Sequence, residues 1–260
     1  MAARAMWKGV LQIEGESLPV KLYSAVQDRT VHFNIVDDRS MQRVKQQMVN
    51  PENDKPVEPA AIRKGYEAGP GEYVLLNEEE LASLIPPASR DIEIVQFVKP
   101  ATLAPQWFNR PYYLGPDDNS SDYFALAKAM AEEEVDAFAR WVMRNKRYQG
   151  ILHAEGDYLM LITVRHAEEV LGAKELAPGA ETRALDKREV SMARQLVEAL
   201  QGEFDPLQFN DAYRQRVQEL VEAKAAGEKP RLAKMPKKKT VESLADALEA
   251  SLRAAKRSAA

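Results

Sequence analysis

The chain has 260 residues, of which 45% are hydrophobic and 29% are charged, and it contains no cysteine. These proportions are typical of a globular protein with a substantial core, and no apolar run reaches the ~20 residues of a membrane span. Without thiols, disulfides, thiol catalysis and thiolate zinc sites are excluded. Residues 1–7 lack the apolar stretch of a secretory signal, so we expect a cytoplasmic protein.

The net charge of −4 is distributed unevenly along the chain. Residues 229–260 contain nine Lys or Arg and three Asp or Glu, a net of +6, which leaves the first 228 residues at −10. A basic tail on an acidic body argues against binding nucleic acid through bulk charge. Any such binding therefore has to come from locally placed basic side chains.

The first third of the chain is typical of strands. Apolar and polar residues alternate over residues 7–13 and 18–26, and residues 31–36 continue in the same way. Residues 37–61 lose this period and gain Asn, Asp and Pro. We therefore expect a loop or an extended excursion from the body there.

The middle of the chain mixes helices with further strands. Asn77 is positioned to cap a short helix that ends before Pro86, and helical spacing predicts a longer helix over residues 121–134. Strand-like runs are residues 91–98, 111–114, 137–143 and 150–164, the last interrupted by a turn at 155–157. Residues 1–170 thus predict an α+β fold built on a β-barrel core.

After Pro178-Gly179 the sequence pattern changes from strand-like to helical. Asp186 to Glu189 forms a capping box that opens a helix ending at Gly202. Asp205-Pro206 supplies the start of a second helix ending at Gly227. Residues 171–228 are therefore predicted to form a helical arm.

A basic, proline-containing linker and a final amphipathic helix make up residues 229–260. Thr240 caps this helix, and its single apolar stripe consists of Val241, Leu244, Leu248 and Leu252. The helix either packs back on its own subunit or docks in a groove of a partner. The lysine-rich linker favours docking.

Several stretches together resemble the bacterial Ku family, in the family's order and over nearly the whole chain. They are Met6-Trp-Lys-Gly-Val10, Leu18 to Tyr23, Lys64-Gly-Tyr-Glu67 with Tyr73 to Leu76, Arg110 to Asp117, Ala139 to Asn145, Glu189 to Gly202 and Phe204 to Lys224. Each motif alone is unspecific, whereas their succession is specific.

The resemblance implies a barrel with an extended bridge, in a homodimer whose two bridges close a ring around duplex DNA. It implies that the helical arm embraces the partner subunit. It also implies binding to double-stranded DNA ends in non-homologous end joining, association with the nucleoid, and recruitment of DNA ligase D. Family members often carry a cysteine-rich, ribbon-like segment before the Lys-Gly-Tyr-Glu block. Here that segment, residues 37–61, has no Cys and no His, so we expect no metal and an excursion shaped by packing alone.

A clamp that ignores base sequence needs Lys and Arg directed at phosphates. We predict two sets of such residues. The hairpin cluster is Arg140, Arg144, Lys146 and Arg147, and the excursion cluster is Arg43, Lys45, Arg63 and Lys64, with Arg39 beside it. The alternative for each residue is an ordinary solvated charge. Lys237 to Lys239 is either a linker or a contact with flanking DNA.

No motif for catalysis or for a cofactor is present. His32, His153 and His166 lack metal-ligand spacing, and there is no Walker A, GxGxxG or GxSxG pattern. The acidic run Glu132 to Glu134 with Asp136 points in several directions from a helix end, which argues against a metal-dependent nuclease. We expect a non-catalytic protein. The alternative function is an adaptor that recruits a repair enzyme through its last helix and binds DNA weakly.

Overall fold

The structure is a computed structural model that describes residues 4–117, 120–172 and 186–228. The chain divides into two compact units. The first comprises residues 1–29 and 34–172, and the second comprises residues 30–33 and 173–260.

The first unit contains the strands and two α-helices. The strands are β1 Trp7–Ile13, β2 Glu16–Ser24, β3 Lys64–Gly69, β4 Glu72–Leu76, β5 Asp91–Val98, β6 Phe108–Pro116, β7 Asp136–Met143, β8 Lys146–Glu155 and β9 Tyr158–Val164, and the helices are α1 Glu78–Ser83 and α2 Ser120–Glu132.

Seven of these strands form a closed barrel in the order β1-β2-β6-β9-β8-β7-β5. Neighbouring strands are antiparallel except β1 and β5, whose parallel pairing of Leu11 with Ile92 closes the barrel. β3 and β4 form a separate two-stranded sheet. The predicted α+β fold with a barrel core is confirmed.

The barrel interior is filled by every second residue of each strand, because successive side chains of a strand point to opposite faces. Leu11, Leu22, Leu114 and Leu161 are fully buried there. α2 adds Tyr123, Ala127 and Met130 to the same cluster. Burying one large apolar side chain contributes about 1.5–3 kcal/mol, so this single core stabilises the barrel and α2.

Several predicted elements differ from the structure, and β6, for example, spans Phe108–Pro116 and not only residues 111–114. Residues 31–36 are not a strand, because the nearest pairing is one isolated bridge from Val36 to Arg43 beside a tight turn. β8 begins at Lys146 and not at residue 150. The second arm helix begins at Ala212, because Asp205-Pro206 opens only a short 3₁₀ turn and Asp211 is the residue that caps the helix.

The second unit contains α3 Lys187–Leu200 and α4 Ala212–Ala225. The side chain of Asp186 caps α3 by accepting a hydrogen bond from the Arg188 N–H. None of the described residues of this unit is buried. The predicted tail helix with Val241, Leu244, Leu248 and Leu252 lies outside the described residues. Within the described ranges, no helix has the length and apolarity to cross a membrane.

Candidate nucleic-acid interface

The hairpin cluster lies on the β7–β8 hairpin. Met143 pairs with Lys146, so Arg144 and Asn145 alone make the turn. Both have positive φ, 50° and 64°, which gives the twisted two-residue turn that suits antiparallel strands. Arg144 therefore stands at the tip of the hairpin, with Lys146 directly behind it.

Arg140 lies further down the same hairpin, on the outer face of the barrel. It pairs with Glu93 of β5 on one side and with Gln149 of β8 on the other. Gln12 of β1 is opposite Glu93. These four polar residues form a row across four neighbouring strands, beside a cleft of about 660 Å³ that is also lined by Arg147.

The basic groups of the two clusters are largely unpaired in the described part of the chain. Arg140 Nη2 lies 3.9 Å from Glu93 Oε2, and both side chains are more than half exposed. An exposed pair at this distance contributes little, about 0–1 kcal/mol. No other member of either cluster has an acidic partner within 4.0 Å among the described residues. Their charge is therefore available to an anion such as phosphate.

The excursion cluster is less compact. Arg43 pairs with Val36 in an isolated bridge, and Lys45 follows it in exposed chain. The guanidinium of Arg63 donates to the carbonyls of Ala60 and Ile62 at 2.7 and 3.0 Å. Lys64 is exposed at the start of β3. The hairpin cluster residues thus share one hairpin, whereas no hydrogen bond or ion pair among the described residues joins Arg43, Lys45, Arg63 and Lys64 to one another.

Hydrogen bonds from side chains to the backbone shape the excursion. The prediction that packing alone would shape residues 37–61 is therefore wrong. The Asp37 carboxylate accepts bonds from the Arg39 and Ser40 N–H groups and, at 2.5 Å, from the Ser40 hydroxyl. These bonds lower the pKa of Asp37 below 3.8, the Ser40 hydroxyl contributing most. The Asn50 side chain likewise accepts from the Glu52 N–H at 2.9 Å. Almost all side chains of residues 34–63 are exposed.

The acidic side chains near the end of α2 do not converge. Glu132 lies 3.7 Å from Lys128 within the helix, and the Asp136 carboxylate accepts a hydrogen bond from His153 Nδ1 at 2.6 Å. The described residues include no group of three or more His, Asp or Glu placed to hold a metal.

Sequence reasoning missed the polar row of Gln12, Glu93 and Gln149. The sequence shows that each of these residues lies in an alternating, strand-like run. It does not show which residues face each other, because that depends on the register between strands that are far apart in the chain. Glu93 is the consequential omission, because its carboxylate lies 3.9 Å from Arg140, a predicted phosphate ligand. The assignment of the two basic clusters to DNA binding stays a prediction.

Comparison with known proteins agrees with this architecture. The family model described as the Ku70/Ku80 beta-barrel domain matches residues 13–192. The closed barrel and this match together define a Ku-type β-barrel protein.

Similar proteins extend the match over nearly the whole chain. A "Non-homologous end joining protein Ku 2" of Geotalea uraniireducens (strain Rf4) is 34% identical, covering 97% of this chain and 99% of the relative. A "Non-homologous end joining protein Ku" of Anaeromyxobacter sp. (strain K) is 39% identical, covering 98% and 87%. One from Pseudomonas aeruginosa PAO1 is 35% identical, covering 86% and 78%. The chain belongs to the bacterial Ku family.

Proposed function

We propose that this protein binds double-stranded DNA ends, independently of base sequence, as a ring-shaped homodimer in double-strand break repair by non-homologous end joining. Family membership supports the role in end joining. The observation that carries the binding mode is the hairpin cluster, whose four basic residues lie on one two-stranded hairpin, with Arg140 and Arg147 on its outer face. The protein positions DNA and catalyses no reaction itself.

The dimensions of the hairpin cluster suit a phosphate backbone. Arg140 and Arg144 are four residues apart on one strand and its turn, which spans about 13 Å. One strand of duplex DNA presents a phosphate about every 3.4 Å along the helix axis. Several phosphates therefore fall within reach, and no base-reading element is needed.

Exposed apolar side chains support the homodimer. The β3–β4 sheet has no buried residue, and an isolated two-stranded hairpin is marginal in water, so it needs a covering partner. Residues 34–85 expose Ile35, Val36, Met41, Val44, Met48, Val49, Ile62, Tyr66, Tyr73, Val74, Leu75, Leu84 and Ile85. A second copy that covers this stretch would bury the kind of contiguous apolar surface that marks an interface.

The helical arm also exposes apolar side chains that a partner would have to bury. α3, α4 and their connection expose Val190, Val197, Leu200, Phe204, Leu207, Phe209, Tyr213 and Val221. We assign this surface to the partner subunit, which the arm would embrace. The tail helix, with Val241, Leu244, Leu248 and Leu252, is assigned to the recruitment of DNA ligase D. The working location of the complex is the cytoplasm, on the nucleoid.

The deciding experiment compares DNA with and without ends. At moderate salt, a linear duplex should compete for the full-length protein, whereas a covalently closed circle of the same sequence should compete poorly. Equal competition by both forms contradicts a ring that loads through ends. Sedimentation equilibrium measures whether the protein is a homodimer, and a monomer at micromolar concentration contradicts the proposed ring.

The second candidate function is an adaptor with weak DNA affinity, which the net charge of −10 on residues 1–228 favours. Deleting residues 229–260 separates the two functions. A clamp keeps end binding and loses stimulation of the ligase. An adaptor whose DNA affinity lies in its basic tail loses both.

A further inference from the structure

Three tyrosines form a groove on the outer face of the barrel. Tyr23 of β2 is directly opposite Tyr113 of β6, and Tyr113 is opposite Met160 of β9. Tyr158 lies two residues before Met160 and therefore on the same face. These tyrosines, with Ser24, Leu114, Gly115 and Glu155, line a groove of about 610 Å³, which we call the tyrosine groove.

The rings of the tyrosine groove are accessible. Tyr113 is 44% exposed and Tyr158 is 55% exposed. Among the described residues, no ring-to-ring contact joins any two of the three tyrosines. Gly115 forms part of the floor, where an added Cβ would lie 3.2 Å from the Tyr23 ring. The groove is thus a shallow aromatic surface and not a packed cluster.

Its charge is negative. Glu155 is the one formally charged residue among those that line the groove. The neighbouring cation on β2, Lys21, forms an ion pair with Asp117. On the other side His153 lies 3.8 Å from Glu155, but its Nδ1 is already engaged by Asp136 at 2.6 Å. The local balance therefore favours a cationic occupant.

We propose that the tyrosine groove binds an arginine side chain presented by a protein partner. The negative face of an aromatic ring attracts a cation, and a planar guanidinium stacks on such rings while it pairs with a carboxylate. The groove leaves Tyr113 and Tyr158 about half exposed, whereas a small-molecule site buries most of its ligand. A side chain projecting from another protein surface fits this shape.

The position of the groove separates it from the predicted DNA contact. Glu155 and Lys146 are the two ends of β8, which puts about 30 Å between them. The inference therefore does not rest on the proposed function. A partner held at the tyrosine groove and DNA held at the hairpin cluster can be bound at the same time.

The test uses N-acetyl-arginine amide as the probe and the full-length protein with 13C-labelled tyrosine rings. Saturable shifts are expected for Tyr23, Tyr113 and Tyr158, with Tyr66 and Tyr213 as internal references. N-acetyl-leucine amide should shift none of them. Glu155→Gln and Tyr113→Leu should each weaken binding by about 3- to 30-fold, the range of one cation–π or ion-pair contact.

Several outcomes overturn the proposal. They are equal shifts with the leucine probe, unsaturable shifts, tighter binding of spermidine than of the arginine probe, and undiminished affinity in both variants. Tyr158→Leu is a second variant on a different strand, in case Tyr113→Leu disturbs β6. DNA-end binding is measured on the same samples and should not change, so failure of this proposal and failure of the proposed function remain distinguishable.

Discussion

The hydroxyl oxygen of Tyr123 lies 2.7 Å from the backbone nitrogen of Leu159 and accepts its hydrogen bond. The same hydroxyl donates to the carbonyl of Leu114, the residue that pairs with Leu159 between β6 and β9. Burial raises the pKa of Tyr123, which keeps the hydroxyl protonated as a donor. One side chain of α2 thus bridges β6 and β9 where Leu114 pairs with Leu159.

Replacing Tyr123 with Phe should therefore lower the free energy of unfolding by about 1–3 kcal/mol, because two buried backbone groups lose their partner. Urea denaturation measures the change as a lower midpoint at unchanged slope. Tyr113→Phe makes the same chemical change beside Leu114 on the exposed face and should stay within about 0.5 kcal/mol of the parent. Equal effects of the two substitutions would contradict this role of Tyr123.

Gly150 is a second position where a substitution should destabilise the barrel, because there is no room for a side chain. A Cβ at this residue would lie 2.4 Å from the Ile162 carbonyl and 2.9 Å from the Trp141 ring. Gly150→Ala should destabilise the protein by about 1–3 kcal/mol through overpacking, measured as a fall in the thermal midpoint. Gly202→Ala is the control, because nothing lies within 4 Å of its Cβ. A neutral Gly150→Ala would contradict this, since both the backbone at Ile162 and the Trp141 ring would then have to shift without cost.

The strands of the barrel could be predicted from sequence, and their pairing could not. Alternation over residues 7–13 gave β1 with its observed limits, since one buried face imposes a period of two. The parallel contact of Leu11 with Ile92 joins residues about eighty positions apart, and no local pattern encodes it. Residues 31–36 show the opposite error, since they alternate like a strand but have no neighbouring strand to pair with.

The candidate interface, too, could be predicted from the sequence only in part. The charges of Arg144 and Lys146 and their place at a connection could be predicted, because the turn lies within a few residues. The partner of Arg140, Glu93, could not, because it comes from β5. The tyrosine groove combines residues of β2, β6, β8 and β9, so only the assembled barrel reveals it.

The hairpin cluster gives a prediction about salt dependence. Arg144→Gln with Arg147→Gln removes two cations per chain, hence up to four phosphate contacts in a homodimer. The slope of log affinity against log salt should become shallower by about 3–4 units. Filter binding or anisotropy with a blocked-end duplex measures it. Lys128→Gln, on α2 and away from the cluster, should leave the slope unchanged, and an unchanged slope in the double variant as well rules out contact through these arginines.

The Asp37 turn gives a prediction about pH. Its pKa is lowered by hydrogen bonds to the carboxylate, so the stabilisation is present above the ordinary value of 3.8 and is lost as pH falls through the lower, folded value. The amide protons of Arg39 and Ser40 should report that titration by NMR. At neutral pH, Asp37→Ala should accelerate their hydrogen exchange. Asp38→Ala, whose side chain makes no hydrogen bond in the described structure, should not, and equal acceleration by both would contradict the assignment.

The side-chain acceptors of the excursion are oxygen atoms of Asp37, Asn50 and Asn53, in a chain without a single thiol. A thiolate-built ribbon loses its shape when zinc is scarce or when oxidants convert its sulfur ligands. Oxygen acceptors respond to neither. The turns that Asp37 and Asn50 hold therefore contain no thiolate that zinc loss or oxidation could remove, and they should persist under the oxidative stress that also breaks DNA.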